Sequence, residues 1–131
     1  MLEKDYIIAY RVYFEDTDLM GIVYHPRYLF FFERARTEML RHQGISLTTL
    51  AKVDLHFAIR DVHITYHFPA RLDDWLTIQT TIEEKKACTL QFKQTMVNQN
   101  KQLISEAWVK VVTVDHNLKP KRCPKSLLGG G

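Results

Sequence analysis

Little in this chain of 131 residues would brace it from outside its own core. Cysteine occurs twice, at Cys88 and Cys123, far apart and without metal-ligand spacing, so two reduced thiols are expected rather than a disulfide framework. The 4 prolines and 5 glycines are too few for an interdomain linker. Three of the glycines are Gly129, Gly130 and Gly131, and the end of the chain from about residue 126 is expected to be disordered. No apolar run approaches the ~18 residues of a membrane span, which argues against membrane insertion. The opening run Met1-Leu2-Glu3-Lys4-Asp5 lacks the basic-then-apolar order of a secretory signal, so the expected location is cytoplasmic. A net charge of +3 is too small a surplus to argue for nucleic acid, although it would suit a small polyanionic ligand.

What is present is an ordinary globular composition, 46% hydrophobic and 25% charged, at a length that suits one domain over residues 1–131. Tyr6 to Phe14 is β-branched and aromatic and reads as a strand. From about Pro26 to His42, Tyr28, Phe31, Phe32, Ala35 and Met39 recur at helical spacing, Leu29, Phe30 and Leu40 widen the stripe, and Gly44 stops it. A helix apolar over so wide an arc should be wrapped rather than laid on a surface. Ser46 looks like the cap of a short helix reaching Leu50 and Ala51. Alternation then marks strands over Val62–Phe68, Trp75–Glu84, Cys88–Val97 and Leu103–Asp115, joined in sequential meander order. The basic tail Lys119–Lys125, broken by Pro120 and Pro124, reads as an irregular surface segment. The fold class is α+β: a five-stranded antiparallel sheet curled around one long helix satisfies both periodicities, although periodicity alone allows other α+β folds.

The most informative stretch is Glu15 to Arg41, E-D-T-D-L-M-G-I-V-Y-H-P-R-Y-L-F-F-F-E-R-A-R-T-E-M-L-R. Glu15, Asp16 and Asp18 repel one another unless something balances them, and the helix start behind them can do so with its free N–H groups and dipole. Pro26 fits the first helical position, with His25 just before it. A single loop aspartate is most often a cap or turn former, but Asp18 stands eight residues before Pro26, too far to cap that helix. Asp16 reads as a loop-shaping residue and a source of like-charge repulsion on Asp18. Asp16 with Asp18, and His63 with His67, invite a metal reading. Strand alternation instead sets the two histidines on a polar face beside Thr65, so neither a metal nor a cofactor is expected.

The run D-T-D-L-M-G-I-V-Y-H-P-R-Y-L followed by F-E-R-A-R-T-E-M-L resembles the signature of the hotdog-fold acyl-CoA thioesterases of the 4-hydroxybenzoyl-CoA thioesterase family, in the branch associated with the bacterial Tol-Pal envelope system (the YbgC type). The likeness continues through Y-H-F-P-A-R-L-D-D-W-L and V-V-T-V-D and so covers nearly the whole chain. The resemblance implies hydrolysis of acyl-CoA thioesters with Asp18 as the catalytic carboxylate, acting as nucleophile or as general base on water. It implies that the backbone N–H at His25 holds the oxyanion, with the His25 imidazole orienting water or Asp18. A thiolate leaves readily, its pKa lying near ~8.5, so no strong general acid is needed. For the CoA moiety it points to Lys85 and Lys86 at a basic turn and to Arg60 beside Phe57, Ala58 and Ile59; Tyr24 and Phe57 are candidate walls of the acyl pocket. Each of these also reads as ordinary surface charge or core.

Tyr-His-Pro stands here where the hydroxybenzoyl branch has Trp-Tyr-Pro, which favours a small or short aliphatic acyl group over an aromatic one. The same run departs from the Pro-Gly entry of hotdog dehydratases. The implied partners are acyl-CoA, or acyl carrier protein in place of CoA, and further copies of the chain as a homodimer or homotetramer with the site at a dimer interface. The reading from a different class is a non-catalytic acyl-binding or scaffold subunit of an envelope-associated complex.

Overall fold

The computed structural model describes residues 5–123. The expected disorder from about residue 126 falls outside them. In chain order the elements are β1 (Asp5–Arg11), a 3-10 turn (Phe14–Asp16), α1 (Arg27–His42), α2 (Leu47–Lys52), β2 (His56–Tyr66), β3 (Trp75–Lys85), β4 (Thr89–Val97) and β5 (Leu103–Val114). No described helix is long and apolar enough to cross a membrane.

Helix α1 is the axis of the core. Its stripe Tyr28, Phe31, Phe32, Ala35, Met39 and Leu40 is buried against Leu76, Ile78, Phe92, Met96, Ile104 and Val109 of the sheet. Each buried aromatic of this kind contributes roughly 1.5–3 kcal/mol of transfer free energy. Leu29 and Phe30 do not join the stripe: they remain 38% and 47% exposed, because the sheet wraps only one side of the helix. Gly44, at φ +82°, takes the left-handed conformation that ends α1, and the Ile45 N–H returns to the Leu40 carbonyl at 2.9 Å. Ser46 caps α2 as its sequence suggests, accepting the Thr49 N–H at 3.3 Å. One polar knot sits inside the core. The buried Gln94 amide donates to the Phe32 carbonyl at 2.9 Å and to Thr80 Oγ1 at 3.0 Å, while its oxygen accepts from Arg36 at 3.0 Å.

The five strands form one antiparallel sheet in the order β1-β3-β4-β5-β2. This corrects the expected four-strand meander. Only β3, β4 and β5 follow one another; β2 crosses to the far edge and pairs with β5. Two strand limits also differ. β1 ends at Arg11, because the Tyr13 N–H turns aside to the Asp16 carboxylate at 2.8 Å and starts the 3-10 turn. β2 starts at His56, six residues before the alternation predicts, and its register breaks between Ile59 and Asp61. That bulge places Arg60 and Asp61 side by side, hiding the period of two from a sequence reading.

The bulge keeps Phe57, Ile59, Val62, Ile64 and Tyr66 on one face of β2. Their partners on β5 (Thr113, Val111, Val109, Ala107 and Ser105) are all buried, so this is the helix-facing side of the sheet. Yet Ile59 is 52%, Val62 44% and Tyr66 46% exposed. Helix α1 covers the edge strand only in part, touching Tyr66 through Tyr28, and leaves a partly exposed apolar stripe along it.

Candidate active site

Asp16 and Asp18 lie two residues apart and face opposite ways. Asp16 is buried; its Oδ1 accepts from both Nε and NH2 of Arg27 at 3.1 and 2.6 Å, and its Oδ2 accepts the Tyr13 N–H. Its backbone carbonyl accepts the Tyr24 N–H at 3.0 Å, fixing the approach to α1. Asp16 thus shapes the loop, with its charge matched by Arg27 rather than pressed against Asp18. The sequence reading did not single out Arg27; a cation eleven residues on, at the start of a helix, carries no sequence signal as a partner.

Residues 17–23 close into a small hairpin. Thr17 bridges Val23, the Asp18 N–H bonds the Ile22 carbonyl at 3.0 Å, and Gly21, at φ +77°, turns the tip. Asp18 is exposed, and its Oδ1 accepts the Met20 N–H at 2.8 Å. This Asx turn orients the carboxylate and leaves Oδ2 without a hydrogen bond among the described residues. Buried Val23 anchors the hairpin, bonding the Ala70 carbonyl at 2.8 Å, while Leu19 and Met20 stand out at 107% and 78% exposure.

Helix α1 begins behind this hairpin at Arg27, with Pro26 as its N-cap, one residue later than the sequence reading. The Arg27 N–H bonds the Tyr24 carbonyl at 2.8 Å, but among the described residues the His25 N–H has no acceptor. The His25 imidazole is exposed and meets the Tyr24 ring edge-on, centroids 5.0 Å apart; it makes no hydrogen bond to Asp18 among the described residues. Instead the His25 carbonyl accepts the Tyr66 hydroxyl at 3.1 Å, and Tyr66 meets Tyr28 edge-on at 5.1 Å. Burial pushes the Tyr28 phenol up and the Ala70 N–H on its oxygen pulls it down, with Tyr66 and the carboxylates of Asp74 and Asp18 adding to the rise. Burial likewise raises Tyr66. Ile22, Val23, His25, Tyr28, Tyr66, His67, Phe68 and Pro69 line an open pocket of about 250 Å³ there. Tyr66 was missed from the sequence as a site residue, although its parity with Val62 and Ile64 marked its face.

The remaining candidates gather at the opposite end of the sheet. Phe57 and Ile59 line a second pocket of about 270 Å³ with Glu33, Arg36, Thr37, Leu40, Leu47, Phe92 and Val111. Ile59, Val111, Leu90 and Lys85 are paired in turn across β2, β5, β4 and β3, so Lys85 stands three strands, about 14 Å, from Ile59. Lys86 follows in the turn, exposed and 3.5 Å from Glu84; Arg60, in the bulge, is exposed as well. At ~3.3 Å per residue, Phe57 and Tyr66 are about 30 Å apart along β2. The single chain therefore does not bring Asp18, Tyr24 and His25 together with Phe57, Ile59, Arg60, Lys85 and Lys86. Tyr24, at 50% exposure, lines neither pocket.

One curled antiparallel sheet around a single long helix, with an exposed carboxylate on a hairpin ahead of that helix, defines a hotdog-fold protein with a candidate hydrolytic site. The chain belongs to the thioesterase-like superfamily, whose family model matches residues 12–129. It is 48% identical over 119 residues to "Acyl-CoA thioester hydrolase YbgC" of Escherichia coli O6:H1, covering 90% of this chain and 89% of that one. Similarity to "Acyl-CoA thioesterase YbgC" of Haemophilus influenzae is 43% over 129 residues, 97% of this chain and 94% of that protein. Among solved structures, a probable thioesterase from Bartonella henselae matches with a TM-score of 0.87 at 35% identity, covering 92% of this chain and 99% of that one.

Proposed function

We infer that the protein is an acyl-CoA thioester hydrolase that releases free acid and CoA, with Asp18 as its reactive carboxylate. The observation that carries the assignment is the setting of Asp18: an exposed carboxylate held by one backbone N–H, with its second oxygen free, at the head of a helix where the His25 N–H is uncommitted. Curated relatives named as acyl-CoA thioesterases support the substrate class.

The chemistry follows from these two groups. Asp18 Oδ2 either attacks the thioester carbonyl, expelling the CoA thiolate and leaving a mixed anhydride that water hydrolyses, or takes a proton from the attacking water. In both routes negative charge grows on the carbonyl oxygen, and the His25 N–H, at the positive end of α1 and without an acceptor among the described residues, is the donor assigned to it. The His25 imidazole, facing Tyr24, borders this site. The acyl group is short or small, consistent with the modest pocket around Phe57 and Ile59.

The active form is a dimer joined along β2. This edge presents unpaired backbone groups over its length and an uncovered stripe of Ile59, Val62 and Tyr66 on its inner face, which a second copy would cover. Antiparallel pairing about a two-fold axis through Asp61 sets Tyr66 of one copy opposite His56 of the other. The catalytic hairpin of one protomer then meets the pocket of Phe57 and Ile59 on its partner, with Arg60, Lys85 and Lys86 near enough to contact the CoA phosphates.

Free-thiol release from acetyl- through palmitoyl-CoA and benzoyl-CoA, run on wild type and Asp18→Asn together, tests the assignment. Turnover is expected on short acyl groups, with a loss of at least about a hundredfold in kcat for the variant and an unchanged circular dichroism spectrum. Equal rates in the two proteins, or no turnover at all, would overturn it.

A further inference from the structure

Arg36 occupies an unusual position for a cation. It projects from the sheet-facing side of α1, and the surrounding Leu40, Leu47, Phe57, Ile59, Phe92 and Val111 are apolar. Its guanidinium donates to Gln94 Oε1 at 3.0 Å and lies 6.0 Å from the centre of the Phe92 ring. No carboxylate forms an ion pair with it among the described residues. Glu33, which also lines the pocket, is exposed at its rim and acts on Arg36 only as a more distant charge. Burial outweighs Glu33 and pushes the Arg36 pKa down to about 10, still far enough above neutrality to keep the charge.

A half-buried cation with four N–H donors unused among the described residues carries a desolvation cost that an anionic partner would offset. Nor is it free to leave. The Gln94 amide that holds it is itself locked by Phe32 O and Thr80 Oγ1, so the guanidinium is fixed at the pocket wall before anything binds. A cavity with mainly apolar walls, polar at Thr37, at Glu33 on the rim and at a positioned Arg36 that no carboxylate contacts among the described residues, suits an apolar chain with a charged end.

We propose that this pocket receives an acyl chain that ends in a carboxylate, with Arg36 pairing with that distal group, so that the enzyme prefers ω-carboxyacyl thioesters over plain acyl thioesters of equal length. This rests on the thioesterase reading above and adds the class of acyl group. The apolar walls take the methylenes, and the fork of Arg36 offers two parallel donors to the terminal carboxylate.

Binding of two non-hydrolysable thioethers, S-hexyl-CoA and S-(carboxypentyl)-CoA, measured by calorimetry, tests this without relying on turnover. Wild type is expected to bind the carboxylate-bearing analogue at least about tenfold more tightly. Arg36→Met, similar in length but uncharged, is expected to lose or reverse that ratio, and Arg36→Lys to keep part of it. Equal affinities in wild type, or a ratio unchanged in Arg36→Met, would overturn the proposal. If Arg36→Met does not fold, the wild-type ratio and Arg36→Lys carry the same decision. Hydrolysis of hexanoyl- and adipoyl-CoA in parallel separates the two claims. Turnover without the binding preference sinks only the Arg36 assignment; preference without turnover of either thioester upholds Arg36 and sinks the hydrolase.

Discussion

A carboxylate turned into a protein needs a cation, whereas one turned toward water needs only to be held in place. Asp16 and Asp18 divide along this line. Asp16 joins the end of β1, the hairpin and the first turn of α1 through Arg27, the Tyr13 N–H and the Tyr24 N–H. Asp16→Ala should therefore destabilise the fold by about 2 kcal/mol, since bonds to a charged acceptor are lost while Arg27, itself partly exposed, can turn to solvent. Denaturant midpoints check this, and a shift under about 0.5 kcal/mol, typical of neutral surface changes, would contradict it. Asp18 carries no such structural duty, so Asp18→Asn should leave the midpoint nearly unmoved while abolishing turnover. At this scale the sequence was informative where a residue's role is local. The D-T-D spacing and the loop-shaping part of Asp16 could be read from it, but Arg27, Tyr66 and Arg36 act through contacts across the fold that no spacing encodes.

Among elements, β2 shows what periodicity can and cannot carry. The helical stripe of α1 and the alternation of β3, β4 and β5 were legible because the period holds over most of each, the register breaks at Ile82/Glu84 and Met96/Val97 lying toward strand ends. In β2 the bulge between Ile59 and Asp61 interrupts the alternation, so the strand was legible only from Val62 and not over its first half, with Phe57 and Ile59. Its pairing with β5 rather than β3 could not be read at all, because strand order follows from how the sheet closes over α1 and not from any local pattern. Breadth misled in α1 itself: Leu29 and Phe30 extend the apolar arc but meet no sheet. A charge introduced on the uncovered inner face of β2 tests its assigned role. Val62→Lys is expected to convert dimer to monomer in analytical ultracentrifugation, because an inward-pointing charge on an edge strand blocks edge-to-edge pairing. A variant still dimeric at the wild-type concentration range would place the interface elsewhere.

For the whole molecule, the decisive feature is that its candidate site is split. Asp18 and His25 belong to the end of the sheet marked by Tyr66, and the pocket of Phe57, Ile59 and Arg36 to the end about 30 Å away along the same strand. On the proposed reading neither half suffices alone, and two antiparallel copies of β2 would supply each half with its complement. The central claim is therefore that one reaction centre takes its carboxylate from one protomer and its acyl pocket from the other. Subunit mixing tests it most directly. Asp18→Asn removes the carboxylate, and Thr37→Trp fills the pocket that Thr37 lines; each alone is expected to be inactive. Refolded together in equal amounts, they should recover about a quarter of the wild-type rate, because half the dimers are mixed and each mixed dimer has one intact composite site. A mixture as inactive as its two parents would contradict the account, since it would mean that each protomer works with its own hairpin and its own pocket.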